Sequence, residues 1–335
     1  MKSQLKIIAE IGVNHNGRID LATKLVDEAK KCGAHAVKFQ TFFAKNFVTK
    51  NTPKVKYQKK NTSSKENHYQ MINKLELKKK DFLKIKNYCD RKKIEFISTP
   101  YDLESAEFLS KINVKTFKVA SADLSDYLLH KFLSKLNKKV ILSSGMSTIE
   151  DIKKTLRLYK NKNNLELLHC VSNYPCSYES LNLNCIKLLK KKFSIPIGFS
   201  DHSIGNDAAI IAYAMGSRTF EKHFTLSKNM KGPDHQASSD PKEFKEYVNK
   251  LKTSKIILGT NVKKIWPEEI QMKKISTKSI TLKNNLKKGQ KIKIENIIMK
   301  RPGLYLNGFY IKKILGKKIK KNLHKDYQIK LKDIY

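Results

Sequence analysis

Through its first 258 residues the chain repeats one rhythm, a short apolar run followed by a longer amphipathic stretch. The apolar runs fall at 5–12, 35–42, 94–100, 115–121, 139–145, 165–170, 195–201 and 218–224. They are short and rich in β-branched residues, which predicts strands. The stretches after them carry apolar residues at three- and four-residue spacing, which predicts helices. "LKIIAEIG" thus leads into "IDLATKLVDEAKKCG", and "RTFEKHF" leads into "PKEFKEYVNKLKTSKIIL". One long polar insert, after "HAVKFQTF" and before the helix at 78–92, interrupts the rhythm.

Eight strand–helix units in about 250 residues predict an α/β fold, the TIM (β/α)8 barrel. Such a barrel keeps its chemistry at the C-terminal ends of the strands. Polar residues gather at those ends: Glu10, Lys38 and Gln40, Ser98 and Thr99, Lys118 and Ser121, Ser143 and Ser144, His169, Ser200 to His202, Glu221 and His223. The seventh and eighth strands are neighbours, so His202 and His223 stand side by side. Two imidazoles with positions left open suit Mn²⁺, Fe²⁺ or Co²⁺ better than a closed structural zinc; the alternative is two hydrogen-bonded core histidines. Asp201 then orients an imidazole instead of binding the ion. Lys38 and Lys118 point inward and need anionic partners. With hydroxyls around them they describe a phosphate pocket. A Schiff-base lysine and a salt bridge to Glu10 or Asp123 are the rival readings. The carboxylates Glu10, Asp123 and Asp234 hold sugar hydroxyls or move protons.

The net charge of +39 raises the question of nucleic acid. The positive residues are almost all lysines spread from end to end, with only Arg18, Arg91, Arg157, Arg218 and Arg301 as arginines. Base readout and bidentate phosphate contacts favour arginine, so the charge is read as a solvated surface and no nucleic-acid partner is expected. No apolar run approaches the roughly 20 residues that span a bilayer, and "MKSQLKIIAEIG" has no small-residue cleavage site. Five cysteines without C-x-x-C spacing fit reduced thiols. A cytoplasmic protein without membrane contact is expected. Beyond residue 260 the rhythm stops. The expected organisation is a barrel domain at 1–260, a linker at 261–276 and a small domain of short strands and turns at 277–335. Arg301 is the one arginine of that lysine-rich tail, and an arginine there suggests a planar, bidentate contact.

The stretches "AEIGVNHNG", "AVKFQTF", "FISTP", "FKVASAD", "ILSSGM", "LLHCVSNYP", "IGFSDHS", "EKHFT", "GPDHQAS" and "KRPG" run in order over nearly the whole chain. Together they resemble the sialic acid synthase family, which includes N-acetylneuraminate and N,N′-diacetyllegionaminate synthases. The resemblance implies a barrel followed by an antifreeze-like (SAF) domain, and a homodimer in which that domain caps the partner's barrel. It implies a transferase that condenses phosphoenolpyruvate with an N-acyl amino sugar, giving a nine-carbon 2-keto acid and phosphate. The sugar is N-acetylmannosamine or 2,4-diacetamido-2,4,6-trideoxymannose. By the same resemblance, Lys38, Thr99, Lys118, Ser121, Ser143, Ser172 and Ser200 bind phosphoenolpyruvate. His202 and His223 hold a divalent metal, Mn²⁺ first, with Mg²⁺ or Co²⁺ as alternatives. Glu10, Gln40, Asp123, Tyr174 and Asp234 surround the sugar, and Arg301 reaches its acylamino group from the partner. Two departures stand out: "ASAD" carries Asp123 where some members have Glu, and "LYLNG" follows "KRPG".

Overall fold

Eight parallel strands close a barrel in chain order: β1 (Lys6–Gly12), β2 (Ala36–Thr41), β3 (Glu95–Pro100), β4 (Thr116–Val119), β5 (Lys139–Ser143), β6 (Leu165–Cys170), β7 (Ile197–Asp201) and β8 (Thr219–His223). All eight expected strands are present. This computed structural model describes residues 4–63 and 65–335. It forms two compact units, Met1–Gly259 and Thr260–Tyr335.

Alternation along each strand decides what fills the barrel, because successive side chains point to opposite faces. The interior is plugged by a small apolar cluster of Ile8, Ala36, Ile97, Ile141 and Leu168. Two residues further along the same faces stand Glu10, Lys38, Thr99, Ser143 and Cys170, so one face of each strand is apolar below and polar at the mouth. The opposite faces carry the large core, including Ile7, Val37, Phe96, Phe117, Leu142, Leu167, Phe199 and Phe220, against the outer helices. Alternation also divides the expected ring. His169 turns outward, its Nε2 2.7 Å from the Leu181 carbonyl. Ser98 donates to the Phe39 carbonyl, and Ser144 donates to that of Leu168.

Local chemistry fixes the helix ends. Helix Ile149–Arg157 opens with a capping box, the Asp151 amide donating to Thr148 Oγ1 and the Thr148 amide to the Asp151 carboxylate. Helix Pro241–Leu258 opens with Asp240 as cap and Pro241 in its first turn. The stretch expected as one helix at "SLNLNCIKLLKKK" splits into Tyr178–Leu181 and Asn184–Lys192, because Asn182 is left-handed at φ 41°. The polar insert is more ordered than its composition suggested. It holds helices Lys56–Asn61 and His68–Leu75. Its apolar residues Met71, Ile72 and Leu75 pack with Val13, Phe42 and Ala44.

The second unit takes in residues 261–276, which were expected as a linker; they include helix Glu269–Ser276, and the Lys274 carbonyl accepts from the Gly303 amide. Strands β9 (Ser279–Leu282) and β10 (Ile297–Lys300) pair antiparallel. They cover a core that includes Ile280, Leu282, Ile292, Ile314, Ile319 and Ile329. Arg301 follows β10 and is exposed on this unit. Among the described residues no helix is long and apolar enough to cross a membrane.

Candidate active site

The polar mouth of the first unit opens into a cavity of about 510 Å³. Twelve of the residues singled out from sequence line it: Glu10, Lys38, Gln40, Lys118, Ser121, Ser143, Ser172, Tyr174, Ser200, His202, His223 and Asp234. Thr99 and Asp123 stand just behind this lining. Thr99 Oγ1 accepts from Lys38 Nζ at 3.2 Å. Asp123 ends the turn Ser121–Asp123 after β4. Arg301 belongs to the second unit.

Two lysines and two carboxylates form the floor. Lys38 Nζ lies 2.6 Å from Glu10 Oε2, so the salt-bridge reading of Lys38 is realised. Lys118 is buried to 2% exposure and lies no closer than 3.9 Å to Glu221, its nearest carboxylate. It donates to Ser143 Oγ at 2.6 Å and to the Val119 carbonyl at 3.1 Å. A buried ammonium with only neutral near partners is costly unless an anion arrives. Burial accordingly pulls Lys118 below its ordinary pKa, with Glu221 opposing. For Lys38 burial acts the same way, but Glu10 and Glu221 outweigh it and hold the lysine above its ordinary value. Burial and the Glu221 charge push Glu10 up, against Lys38.

Glycine makes two of the contacts. At Gly12, φ is +55°, and a Cβ would come within 3.0 Å of Glu10 Oε1 and Gln40 Nε2, which hydrogen-bond to each other at 2.9 Å. At Gly145 a Cβ would strike the hydroxyls of Ser121 and Ser172. The Gly145 amide instead donates to Ser121 Oγ at 3.0 Å. Ser121, Gly145 and Ser172, from three separate βα units, thus meet at the mouth.

The imidazoles of His202 and His223 face each other with ring centroids 5.5 Å apart, and Tyr174 packs on both, at 4.2 and 5.4 Å. His202 Nδ1 lies 2.8 Å from the Val171 carbonyl, which fixes the proton there and leaves the Nε2 lone pair free. His223 Nδ1 and Glu221 Oε2 are buried without a hydrogen-bond partner. Buried polar atoms left orphaned are rare, and a divalent cation between the rings would satisfy the imidazole nitrogen. The donor set therefore fits a metal. Among the described residues no three His, Cys, Asp or Glu side chains group so as to hold a metal ion, so the two imidazoles are the ligands that the protein itself would offer. The expectation that Asp201 orients an imidazole is not met; its carboxylate turns the other way, to Lys222 at 2.9 Å.

Asp234 faces the Tyr57 hydroxyl. Burial and Glu10 push Asp234 up to about 6, with Tyr57 opposing. Burial and Asp126 push Asp123 up to about 7, with Lys118 opposing. Sequence reasoning placed Glu221 in the polar ring without giving it a role, and left the lining residues Tyr57, Gln58, Tyr101, Met146, Cys170 and Asn173 out. Glu221 carried a signal, its place two residues before His223 on the same strand face. Tyr57 and Gln58 carried none, because they come from the insert, and its helices were not expected.

The NeuB family model matches residues 25–263, and the SAF domain model matches residues 277–334. The N,N′-diacetyllegionaminic acid synthase of Campylobacter jejuni is 39% identical over 98% of this chain and 100% of its own length. That of Legionella pneumophila is 39% identical over 95% of this chain and 91% of its own. Among solved structures, the N-acetylneuraminic acid (sialic acid) synthetase of Leptospira borgpetersenii in complex with citrate superposes with a TM-score of 0.71. It is 32% identical and covers 81% of this chain and 90% of its own. A synthase-family model over most of the barrel and curated relatives over almost the full length lead to one assignment: the chain belongs to the NeuB family and is an enzyme.

Proposed function

We propose that this enzyme condenses phosphoenolpyruvate with 2,4-diacetamido-2,4,6-trideoxymannose in its open aldehyde form, yielding N,N′-diacetyllegionaminate and inorganic phosphate. The observation that carries the reaction is the single cavity that joins two buried lysines to two facing imidazoles. Lys118, short of an anionic partner, supports binding of the phosphate with Lys38, Ser143 and the Ser121, Ser172 and Gly145 cluster. Lys38 keeps its ion pair with Glu10 and adds its charge to the pocket; the condensation passes through no iminium, so neither lysine needs to form a Schiff base. His202 and His223 would hold Mn²⁺, which when bound supplies Lewis-acid polarisation of the sugar carbonyl. Tyr174 covers that face and excludes water. Carbon 3 of phosphoenolpyruvate forms the new bond to the aldehyde carbon, whose oxygen takes a proton. Water adds at carbon 2 and gives up its proton to a carboxylate of the mouth. The tetrahedral product then loses phosphate by carbon–oxygen cleavage while its new hydroxyl passes its proton to the departing phosphate, leaving the ketone. Asp234, Gln40 and Glu10 lie where the sugar hydroxyls would be bound, and holding both substrates in one cavity supplies much of the acceleration.

The choice of sugar rests on two observations. The relatives at 39% identity make the diacetylated product. The insert side of the cavity carries an apolar patch of Phe47, Val55, Met71 and Ile72 beside the polar Lys56, Tyr57, Gln58 and His68, and that patch suits a methyl at carbon 6 better than a hydroxyl. Phosphate release with a panel of the two candidate sugars tests this. Preference for the trideoxy sugar is expected, preference for N-acetylmannosamine would move the chain to the neuraminate branch, and release with neither would overturn the reaction. We also propose a homodimer in which Arg301 of one protomer covers the sugar of the other. Mixing Arg301→Ala with His202→Ala chains should then regenerate activity from two weak parents.

A further inference from the structure

The β7–β8 ladder ends one residue too early to hold His202. Its last register pair is Asp201 with Lys222. His202 lies beyond it, whereas His223 is still in β8 and paired with Glu10 of β1. The Cys176 amide donates to the His202 carbonyl at 2.8 Å and His202 Nδ1 lies 2.8 Å from the Val171 carbonyl, which ties His202 toward β6; its position against His223 on β8 must be set by something other than the ladder.

The side chains of that last pair turn away from the cavity and make a compact clamp. Asp201 is 1% exposed and Lys222 6%. Lys222 Nζ donates to Asp201 Oδ2 at 2.9 Å and to the Ser203 carbonyl at 2.8 Å. Asp201 Oδ1 accepts from the Ser203 amide at 2.9 Å and from its hydroxyl at 2.6 Å. Lys222 also lies over the Tyr247 ring, 4.9 Å from its centroid. Ser203, the residue after His202, is therefore tied at its amide, hydroxyl and carbonyl. Lys222 sits between Glu221 and His223, so the same ammonium fixes the strand that carries the second imidazole.

We propose that the Asp201–Lys222–Ser203 clamp continues the ladder by side chains and sets the spacing of the two imidazoles for their metal. Asp201 and Lys222 are positioning residues; neither touches the ion. The proposal rests on the metal reading of His202 and His223. Its role is geometric: hydrogen bonds, more than charge, transmit the register. A buried ion pair adds little net stability over well-packed neutral groups, which leaves positioning as the reason for its place here.

The test is Mn²⁺ binding to the full-length protein, read by electron paramagnetic resonance of free Mn²⁺, alongside thermal unfolding. In Lys222→Met, affinity should fall about 10-fold, the low end for groups that orient metal ligands. The Asp201→Asn/Lys222→Gln pair keeps hydrogen-bonding groups without charge, and its affinity should stay close to wild type even if its melting temperature drops. It also decides the matter if Lys222→Met does not fold. Wild-type affinity in a folded Lys222→Met, or an equal loss in the neutral pair, would overturn the clamp while leaving the metal reading intact. No Mn²⁺ binding by the wild type would overturn both.

Discussion

The two sides of the mouth are built by different means. On the β7–β8 side, the chemical groups stand on strands whose register is fixed by ladder hydrogen bonds and backed by a buried ion pair. On the insert side, Tyr57 and Gln58 come from the six-residue helix Lys56–Asn61. That helix reaches the far rim through side chains alone: Asn61 Nδ2 donates to the Pro233 carbonyl at 2.9 Å, the Tyr57 hydroxyl faces Asp234, and the Tyr57 ring lies 5.4 Å from that of Tyr174. Side chains on short helices with few ties are easier to rearrange than those on a closed ladder. Under the proposed function, that difference would give bond-making to the strand side and choice of sugar to the insert side.

That division can be broken at its strongest point first. Replacing His202 or His223 with Ala should cut turnover about a thousandfold, the scale of losing several kcal/mol of Lewis-acid assistance. Circular dichroism should show an unchanged fold. Near-normal phosphate release by either variant would detach the chemistry from the strand side. Next comes Lys118→Met. It removes a buried cation from the phosphate cluster and should raise KM for phosphoenolpyruvate about 10- to 150-fold. The sugar KM should stay near wild type; equal rises in both would mean the substrates do not occupy separate sides.

How much of this was legible in the sequence follows the same division. Strand-borne groups announce themselves, because an apolar run that ends in Glu, Lys or His places that residue at the mouth whatever the helices do. Glu10, Lys38, Lys118, Ser200, His202 and His223 were all readable in this way. Period-2 facing is equally legible in principle, and applying it would have moved His169 and Ser98 outward. What the pattern hides is tertiary. Asp201 and Lys222 are ordinary charged residues until register puts them opposite one another. Tyr57 lies in "YQKKN", whose lysines mask a short helix with one buried face.

A third test concerns the cost of strand-side groups to the fold. Asp123 is pushed from 3.8 up to about 7 by burial and by Asp126, and its Oδ2 has no hydrogen-bond partner. The folded state therefore holds a proton that the unfolded state releases. Stability contributed by this group is complete below about pH 4 and is lost as pH rises through about 7. The shift corresponds to at most about 4 kcal/mol, and partial exposure of the residue reduces this to about 2. Asp123→Asn should match wild type in melting temperature at low pH, up to a constant offset, and gain on it steadily between pH 4 and 7. A difference that stays flat over that range would show that Asp123 titrates as an exposed carboxylate.

The smallest expected effect sharpens the comparison most, because the residue changed lies on the insert side. Tyr57 presents its hydroxyl to Asp234, and that contact draws the Asp234 carboxyl downward. Burial and Glu10 push the other way and win, leaving it at about 6; His202 and Lys38 are the remaining charges that face it, and both draw it down. Tyr57→Phe removes one downward influence and leaves the others in place, so Asp234 should titrate higher than about 6. If the charged carboxylate receives a sugar hydroxyl, the acid limb of kcat/KM for the sugar should move to higher pH. At neutral pH the loss should be about 3- to 10-fold, the scale of one ordinary hydrogen bond. The kcat/KM for phosphoenolpyruvate at saturating sugar should not move, because Lys38, Lys118 and the serines stay on their strands. A pH profile shifted equally for both substrates would show that the insert shapes the chemistry as well as the choice of sugar.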